Sequence, residues 1–173
     1  MEIREYVKEI LDTCPCCGGY GKVFDEECDC CDGLGLDVDD VVKLKVAIID
    51  SIAFINTTPH AINGVFNGKE VEIPSSGYLL NATATEEEIE TNNGIKFVKT
   101  VFNPSEKGIN FVTNLTNGFT KKDLDVDSVI IIGSMIAVNA YPGVCGLTPM
   151  PGFERVAPAL KKMNLNKFTI VEE

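Results

Sequence analysis

The sequence predicts an α+β fold: a mainly antiparallel β domain with one or two short helices, preceded by an amphipathic helix and a cysteine-rich hairpin. Three observations lead to this prediction. Apolar residues in the first thirteen positions recur at helical spacing, six of the seven cysteines fall between Cys14 and Cys31, and strand and turn signals dominate the remainder. We therefore divide the chain into an amphipathic helix (1–13), a cysteine module (14–35) and a β-rich domain (36–173).

The first segment is the predicted helix. Its apolar residues recur at i, i+3, i+4, i+7 and i+8, namely Ile3, Tyr6, Val7, Ile10 and Leu11. This spacing places apolar side chains on one face of an α-helix and leaves charged residues on the other. We expect the helix to end at Thr13, because Cys14-Pro15 opens the next segment.

The cysteine module repeats one phrase at a period of fourteen residues. Cys14-x-x-Cys17-x-Gly19-x-Gly21 is followed by Cys28-x-x-Cys31-x-Gly33-x-Gly35. Each CxxC can place two thiolates on one side of a tight turn, which suits half of a tetrahedral four-sulfur zinc site. The glycines allow positive φ angles where backbone N–H groups turn toward the sulfurs. The connector Gly18–Glu27 can form a hairpin that brings the second CxxC back onto the first.

We therefore predict one structural zinc ion per chain, bound by Cys14, Cys17, Cys28 and Cys31. Two alternatives stay open: disulfides or redox thiols, which a reducing cytoplasm disfavours, and an iron–sulfur cluster. Cys16 and Cys30 occupy equivalent positions, each just before the second ligand of its CxxC. They are either unligated fillers, which we favour, or substitutes for a neighbouring ligand.

The repeated phrase resembles the CxxCxGxG zinc module of the DnaJ (Hsp40) chaperones. DnaJ carries four such repeats and this chain carries two, so the module is more similar to the two-repeat version in anti-TRAP regulators. The J-domain signature and the glycine/phenylalanine linker are missing, and the resemblance therefore implies no co-chaperone role. It implies a zinc module that acts as a fold staple, an oligomer contact or a partner-binding surface, and we expect a homo-oligomer.

Composition excludes several classes of protein. The 173 residues include 15 Lys and Arg against 26 Asp and Glu, which gives a net charge of −11. Such a chain is poorly suited to bind nucleic acid or an anionic membrane directly. The longest apolar runs, Val129–Ala140 and Val46–Ile55, are too short or too interrupted to span a bilayer. Because Met1–Cys14 also lacks an apolar signal segment, we expect a cytoplasmic protein.

Strand and turn signals organise the β-rich domain. Asn67-Gly68 predicts a hairpin, because this dipeptide satisfies the positive φ angles of a tight turn. Asn93-Gly94 predicts a second turn, after the acidic stretch Glu86–Glu90, which we interpret as a solvated strand face or the start of a helix. The segment Leu36–Ile55 is rich in Val and Ile and fits either a helix or a strand.

The C-terminal half adds three predicted elements. Val129–Ile132 is a β-branched run and predicts a buried strand. Gly133-Ser134 then opens a short helical segment, Met135–Ala140, and Lys167–Val171 predicts a closing strand.

One set of residues suggests a ligand site. A strand followed by Gly133-Ser134 and a helix N-terminus can offer free backbone N–H groups to an anion, and Arg155 can pair with a phosphate or carboxylate. Tyr141 and Phe153 can stack on a planar ring. The predicted ligand-binding residues are His60, Asn63, Ser134, Tyr141, Phe153 and Arg155. The alternative is that the glycines are plain turns, Arg155 bridges a surface acid and the aromatic residues belong to the core.

Catalytic signals are weak. The single histidine, His60, could act as a base only for Cys145, the one cysteine outside the module, and nothing in the sequence brings the two together. No nucleophile elbow, zinc-protease helix or phosphate-binding loop motif is present. We therefore name no catalytic residue and favour a protein that is not an enzyme.

Two stretches of the β domain, Thr58–Asn63 and Ile131–Val156, are similar to the "LTPHxI" opening and the closing half of small tailed-phage proteins. This resemblance covers roughly residues 52–171 and implies a phage or prophage origin, but no settled activity.

Three functions follow as hypotheses. The first, which we favour, is a non-enzymatic phage accessory protein that sequesters a small anionic ligand, a nucleotide-derived immune signal of the bacterial host. The second is a zinc-bearing interaction module whose acidic surface occludes a basic host protein. The third is a hydrolase of such a nucleotide signal.

Overall fold

An eight-stranded β-sheet organises the molecule. The computed structural model describes residues 1–18, 20, 22–31, 34, 36–157 and 160–171. Its strands are β1 (Glu2–Thr13), β2 (Lys22–Val23), β3 (Glu26–Glu27), β4 (Leu36–Ile49), β5 (Ile52–Asn56), β6 (Ile62–Phe66), β7 (Lys69–Ile73), β8 (Ala82–Asn92), β9 (Ile95–Pro104), β10 (Ser128–Ile132), β11 (Val144–Pro149) and β12 (Met163–Thr169). Its helices are α1 (Glu106–Thr116), α2 (Gly118–Leu124) and α3 (Met135–Ala140), and none of these described helices has the length and hydropathy needed to cross a membrane. The predicted class is therefore confirmed as a mainly β protein with short helices, although the described residues form three helices where one or two were expected.

The main sheet is mixed. Its strand order is β1-β4-β5-β10-β11-β12-β6-β7, while β2–β3 and β8–β9 form separate pairs. The ladders β5–β10, β10–β11 and β12–β6 are parallel, and the other ladders between described strands are antiparallel. Parallel neighbours need crossover connections. Helix α3 supplies the crossover from β10 to β11, whereas α1 and α2 lie in the longer one from β5 to β10.

The sheet buries apolar side chains on both faces. In β5, Ala53 and Ile55 belong to one cluster and Phe54 to the other, as alternation along a strand requires. The first cluster includes side chains from α1, α2 and α3, among them Phe111 and Val138. The second is completed by residues of β6, β7 and β12. Both faces of the central strands are therefore shielded from water, which explains why these strands are continuously apolar.

The predicted N-terminal helix is wrong, because the segment forms strand β1 and pairs antiparallel with β4. Tyr6 and Ile10 share a buried face in this strand, while Ile3 and Val7 are exposed. A separation of four residues keeps two side chains on one face in a helix and in a strand alike, because four is close to one helical turn and is also even. The spacing of Tyr6 and Ile10 therefore fits both structures, and pairing with the long strand β4 decides between them.

Both Asn-Gly turns are confirmed. Asn67-Gly68 joins β6 to β7, and Asn93-Gly94 joins β8 to β9, all with positive φ. The ambiguous segment Leu36–Ile55 forms β4 and most of β5. Its turn, Asp50-Ser51, has φ angles of 47° and 60° without a glycine. The usual hairpin signal is therefore absent at this turn, and the sequence did not show where β4 ends and β5 begins.

The other element predictions agree with the structure. Val129–Ile132 lies in β10 and Met135–Ala140 is α3. The closing strand is β12, which begins before the predicted Lys167 and ends at Thr169, before the predicted Val171. The acidic stretch Glu86–Glu90 lies in β8 and is exposed, so it is a solvated strand and not a helix start.

Helix α1 approaches the core through Gly108. A Cβ atom added there would lie 2.5 Å from both Cε1 and the hydroxyl oxygen of Tyr141. The Tyr141 hydroxyl donates to the Asn81 carbonyl at 2.6 Å and accepts from the Ser105 N–H at 3.0 Å. Because these bonds and the surrounding core hold the ring, it cannot move aside easily.

Gly108→Ala should therefore lower the free energy of unfolding by about 1–3 kcal/mol through overpacking. Gly118→Ala is the matched control, because Gly118 also lies in a helix but an added Cβ meets nothing within 4 Å. Helix propensity alone favours Ala over Gly by up to about 1 kcal/mol, so the control should be neutral or stabilised. Urea denaturation of both variants measures the difference, and equal effects would contradict the close packing.

Candidate functional site

The cysteine module lies at one end of the ribbon formed by β1 and β4. The last pair of this ladder is Thr13↔Leu36, so the module begins and ends on neighbouring strands. Within the module, β2 and β3 form a short antiparallel pair. Phe24 and Asp25 turn the chain between them, with φ angles of 52° and 68°. This arrangement brings the second CxxC back beside the first.

Four cysteine sulfurs converge in a buried cluster. The Sγ atoms of Cys14, Cys17, Cys28 and Cys31 all lie within 4.8 Å of one another. The Cys14–Cys28 separation is 4.0 Å and the Cys17–Cys31 separation is 3.8 Å. All four side chains are buried, although most described residues between them are exposed. The residues predicted as ligands therefore form a group that could hold a metal ion.

The donor set fits a tetrahedral ion. Metal–sulfur bonds of about 2.3 Å give sulfur–sulfur edges of about 3.8 Å, close to the observed separations. Thiolates are soft ligands, which magnesium and calcium do not favour. Because four protein ligands complete a tetrahedral shell, no position is left for water or substrate. The cluster therefore suits a structural centre rather than a catalytic one.

Backbone turns hold each CxxC in place. The Gly18 N–H donates to the Cys14 carbonyl at 2.9 Å, and the Cys31 N–H donates to the Cys28 carbonyl at 3.2 Å. Gly18 has a φ of 59°, a conformation that glycine adopts at little cost. The glycines for which the sequence predicts this role, Gly19, Gly21, Gly33 and Gly35, lie outside the described residues.

The cysteine module exposes two cysteine residues and several large apolar side chains to solvent. Cys16 and Cys30 are exposed and joined by a disulfide bond, so they are not part of the four-sulfur group. Three large apolar side chains nearby in the sequence are also exposed, Tyr20 by 86%, Phe24 by 97% and Leu34 by 77%. Exposed apolar side chains that form one continuous patch are typical of contact surfaces.

Two adjoining clefts contain half of the predicted ligand residues. His60 and Asn63 line a cleft of about 230 Å³, together with Lys161. Asn63 and Lys161 also line a larger cleft of about 600 Å³, which contains Phe153. The structure thus brings His60, Asn63 and Phe153 to one region of the surface, around a lysine that the sequence analysis missed.

The loop that carries His60 is held by a buried amide. Asn56, the last residue of β5, is fully buried, and its Nδ2 donates to the His60 carbonyl at 2.8 Å. Its Oδ1 accepts from the Thr58 N–H at 2.9 Å. The Ser75 hydroxyl adds a bond to the Thr58 carbonyl at 2.7 Å. The loop is therefore fixed from inside the protein while the His60 side chain stays exposed.

The larger cleft depends on a close approach of two strands. Gly64 of β6 pairs with Met163 of β12, and a Cβ on Gly64 would lie 2.7 Å from the Leu165 Cγ. Lys162 forms an ion pair with Glu70, and its Nζ lies 5.6 Å from the centre of the Phe153 ring. Lys162 therefore neutralises one of the two acids on the cleft wall.

Three predicted ligand residues lie elsewhere. Tyr141 is buried in the core with its hydroxyl occupied, so its ring cannot stack on a ligand. The Ser134 side chain caps the short helix α3 by accepting from the Ala137 N–H, and the Gly133 N–H donates to Cys145 of β11. The N–H groups of Gly133 and Ala137 are therefore already used within the protein, and neither is free to bind an anion. Arg155 is exposed, but it lies outside the described lining of both clefts.

Cys145 shows no sign of a nucleophile. It is half-buried on β11, and burial raises the pKa of its thiol. A raised pKa keeps the thiol protonated near neutral pH, whereas nucleophilic cysteines need the thiolate. Cys145 also does not line the described part of either cleft, so the structure does not pair it with His60.

In comparisons with protein-family models, curated proteins and solved structures, nothing matches this chain. The resemblances to DnaJ-type zinc modules and to tailed-phage proteins therefore stay predictions from short motifs. Function has to be argued from the cysteine cluster and the clefts themselves.

Cys28→Ser should abolish stoichiometric metal binding, because a neutral hydroxyl replaces one of four thiolates. Elemental analysis of the wild-type chain should show about one zinc ion per molecule. Cys145→Ser is the matched control and should keep the metal, since that thiol lies outside the cluster. A wild-type chain without zinc, with its buried thiols oxidised in pairs, would contradict the metal centre.

Chelation should loosen the module and leave the main sheet folded. Metal binding supplies most of the folding free energy of small metal modules, whereas the sheet has its own core. With the Cys16–Cys30 bond reduced, hydrogen exchange should show lost protection in 14–35 and in the adjoining ends of β1 and β4 after chelation. If the whole chain unfolds instead, the division at residue 35 is wrong.

Proposed function

We propose that this chain is a non-enzymatic phage accessory protein that binds and sequesters a small anionic ligand, with a structural zinc ion in its cysteine module. The ligand class is a nucleotide-derived immune signal of the bacterial host, so the protein would act against host defence. The observation that carries the proposal is the meeting of His60, Asn63 and Phe153 around Lys161 in adjoining clefts.

The chemistry of the clefts suits a phosphate attached to a planar ring. Lys161 offers an ammonium group, and Asn63 offers an amide at the boundary of both clefts. Phe153 supplies an aromatic face in the larger cleft, while His60 can donate to a phosphate or stack on a base. With about 600 Å³, the larger cleft falls within the usual range for small-molecule sites.

The acidic charge of the chain opposes such a ligand only at long range. A net charge of −11 repels an approaching anion, but physiological salt screens this repulsion beyond about 8 Å. In the larger cleft, Lys162 is paired with Glu70, so Glu72 is the one other carboxylate among the described lining residues. The hydrogen-bond donors inside the clefts then determine the affinity for the anionic ligand.

Sequestration fits the described chemistry better than hydrolysis. The four-cysteine group would leave a bound zinc ion no open coordination position for a water nucleophile. Cys145 is held as a protonated thiol by burial, which raises its pKa. A ligand bound in the clefts should therefore be recovered intact.

Calorimetry against a panel of linear and cyclic nucleotides tests the proposal. Lys161→Ala should weaken binding about 10–100-fold, the scale of one charge-assisted hydrogen bond. Lys107→Ala, which removes the same charge from α1, is the matched control and should bind like the wild type. Arg155→Ala, measured in parallel, shows whether that exposed side chain reaches the ligand from outside the lining.

Two results would contradict ligand sequestration. The first is no binding at micromolar protein and nucleotide concentrations. The second is recovery of a cleaved nucleotide, which would favour the hydrolase hypothesis instead.

A second candidate function is favoured by the exposed apolar residues of the module. Tyr20, Phe24 and Leu34 suit a contact with a protein, either a basic host protein that the acidic chain occludes or a second copy of the chain. Aromatic side chains are enriched among residues that dominate protein interfaces.

Site-specific photo-cross-linking in host cells tests this alternative. A photoreactive phenylalanine analogue at Phe24 should give a covalent product with a basic host protein, or with another copy if the module is an oligomer contact. The same analogue at Phe119, which is 68% exposed on α2, is the matched control and should give none. Absence of any product specific to Phe24 would overturn the alternative.

A further inference from the structure

Two exposed cysteines lie next to the buried four-sulfur group without belonging to it. Cys16 and Cys30 are bonded to each other, whereas the four converging sulfurs belong to Cys14, Cys17, Cys28 and Cys31. We propose that Cys16 and Cys30 form a redox-active thiol–disulfide pair that exchanges with small disulfides such as glutathione disulfide, while the buried cysteines keep the metal. This site is separate from the ligand clefts and does not rest on their function.

The sequence repeat brings Cys16 and Cys30 close enough to form a disulfide bond. Each of the two cysteines comes one residue before a cluster cysteine, Cys17 or Cys31, and the fourteen-residue period makes the two positions equivalent. Their Cα atoms are 6.4 Å apart, within the range that a disulfide can span. Because the cluster fixes the neighbouring residues, the two thiols stay close when the bond between them is broken.

Burial separates the reactive pair from the cluster. Cys16 and Cys30 are exposed to solvent, and the four cluster cysteines are buried. Thiol–disulfide exchange needs access of the attacking sulfur to a sulfur of the disulfide. A dissolved disulfide therefore reaches the outer pair and not the inner group, so oxidation and metal binding can coexist.

The exchange balances with glutathione disulfide as the oxidant. The thiolate of one cysteine attacks a glutathione sulfur, the glutathione S–S bond breaks, and one glutathione thiolate leaves. The second cysteine thiolate then attacks the protein sulfur of this mixed disulfide and releases the second glutathione. Two protein thiols become one disulfide, and one glutathione disulfide becomes two glutathione molecules, which take up the two protons.

Oxidation has a structural consequence. The Cys16–Cys30 bond ties the first CxxC to the second independently of the metal, since each cysteine lies inside one of them. The oxidised module should therefore keep its two halves together when the metal is removed, whereas the reduced module should not.

The test uses the full chain loaded with zinc and equilibrated in buffers of reduced and oxidised glutathione. Rapid alkylation, intact mass and peptide mapping identify the reacted thiols, and elemental analysis of the same samples measures zinc. We expect Cys16 and Cys30 to lose alkylation together as the oxidised fraction rises, to regain it on reduction, and zinc to stay near one per chain. Trypsin can cut at Lys22, between the two cysteines, so the linked peptides are identifiable.

Single variants sharpen the test. In Cys16→Ser, the remaining Cys30 should accumulate a mixed disulfide with one glutathione, because no second thiol resolves it, and Cys30→Ser should behave likewise. Cys145→Ser is the control and should match the wild type.

Three results would overturn the proposal. Alkylation of both cysteines at every glutathione ratio would show that they do not exchange. Loss of thiols together with zinc would show that the cluster oxidises instead, and loss of zinc in either single variant would make that cysteine a ligand. A chain without zinc whose outer pair still oxidises reversibly would contradict only the metal centre.

Discussion

The pairing of β1 with β4 is the constraint on which the rest of the structure depends. One face of this ribbon completes the core, where Tyr6 and Leu44 are buried opposite each other. The Tyr6 hydroxyl donates to Asp123 of α2 at 2.9 Å, and burial together with this bond raises the pKa of Tyr6 to about 12. The end of the same ribbon starts and finishes the cysteine module. The core and the four-cysteine group are therefore joined by one pair of strands.

This connection gives a reason why a metal ion would be useful at that place. A two-stranded ribbon is marginally stable where it leaves the support of a core. The four buried sulfurs provide a compact centre beyond the last strand pair, and an ion bound there would hold both CxxC turns together. The exposed side chains of Tyr20 and Phe24 then stand on a fixed support. Fixed aromatic residues lose little conformational entropy when they bind a partner.

The sequence predicted the features that local chemistry determines. The four cluster cysteines follow from their spacing, and the Asn67-Gly68 turn follows from its need for positive φ. The helix expected at the N-terminus was wrong because the spacing of Tyr6 and Ile10 fits a strand equally well, and only the partner strand decides.

The clefts could not be predicted in the same way. Lys161 follows His60 by about a hundred positions in the sequence, and the two come together only because β12 pairs in parallel with β6. The prediction that Tyr141 stacks on a ligand was wrong, because its hydroxyl bonds to Ser105 and Asn81 in the core. These partners are distant in the sequence, so the sequence did not reveal them. The adjacent lysines Lys161-Lys162 are no specific signal for the clefts, because the same pair occurs at Lys121-Lys122, outside the described lining of both.

The central claim is that four buried cysteines hold one zinc ion at the end of the β1–β4 ribbon. X-ray absorption at the zinc edge, on the purified full chain, tests it most directly. The account predicts a single shell of four sulfur atoms at about 2.3 Å. A first shell that contains oxygen or nitrogen, or a protein without zinc absorption, would contradict it.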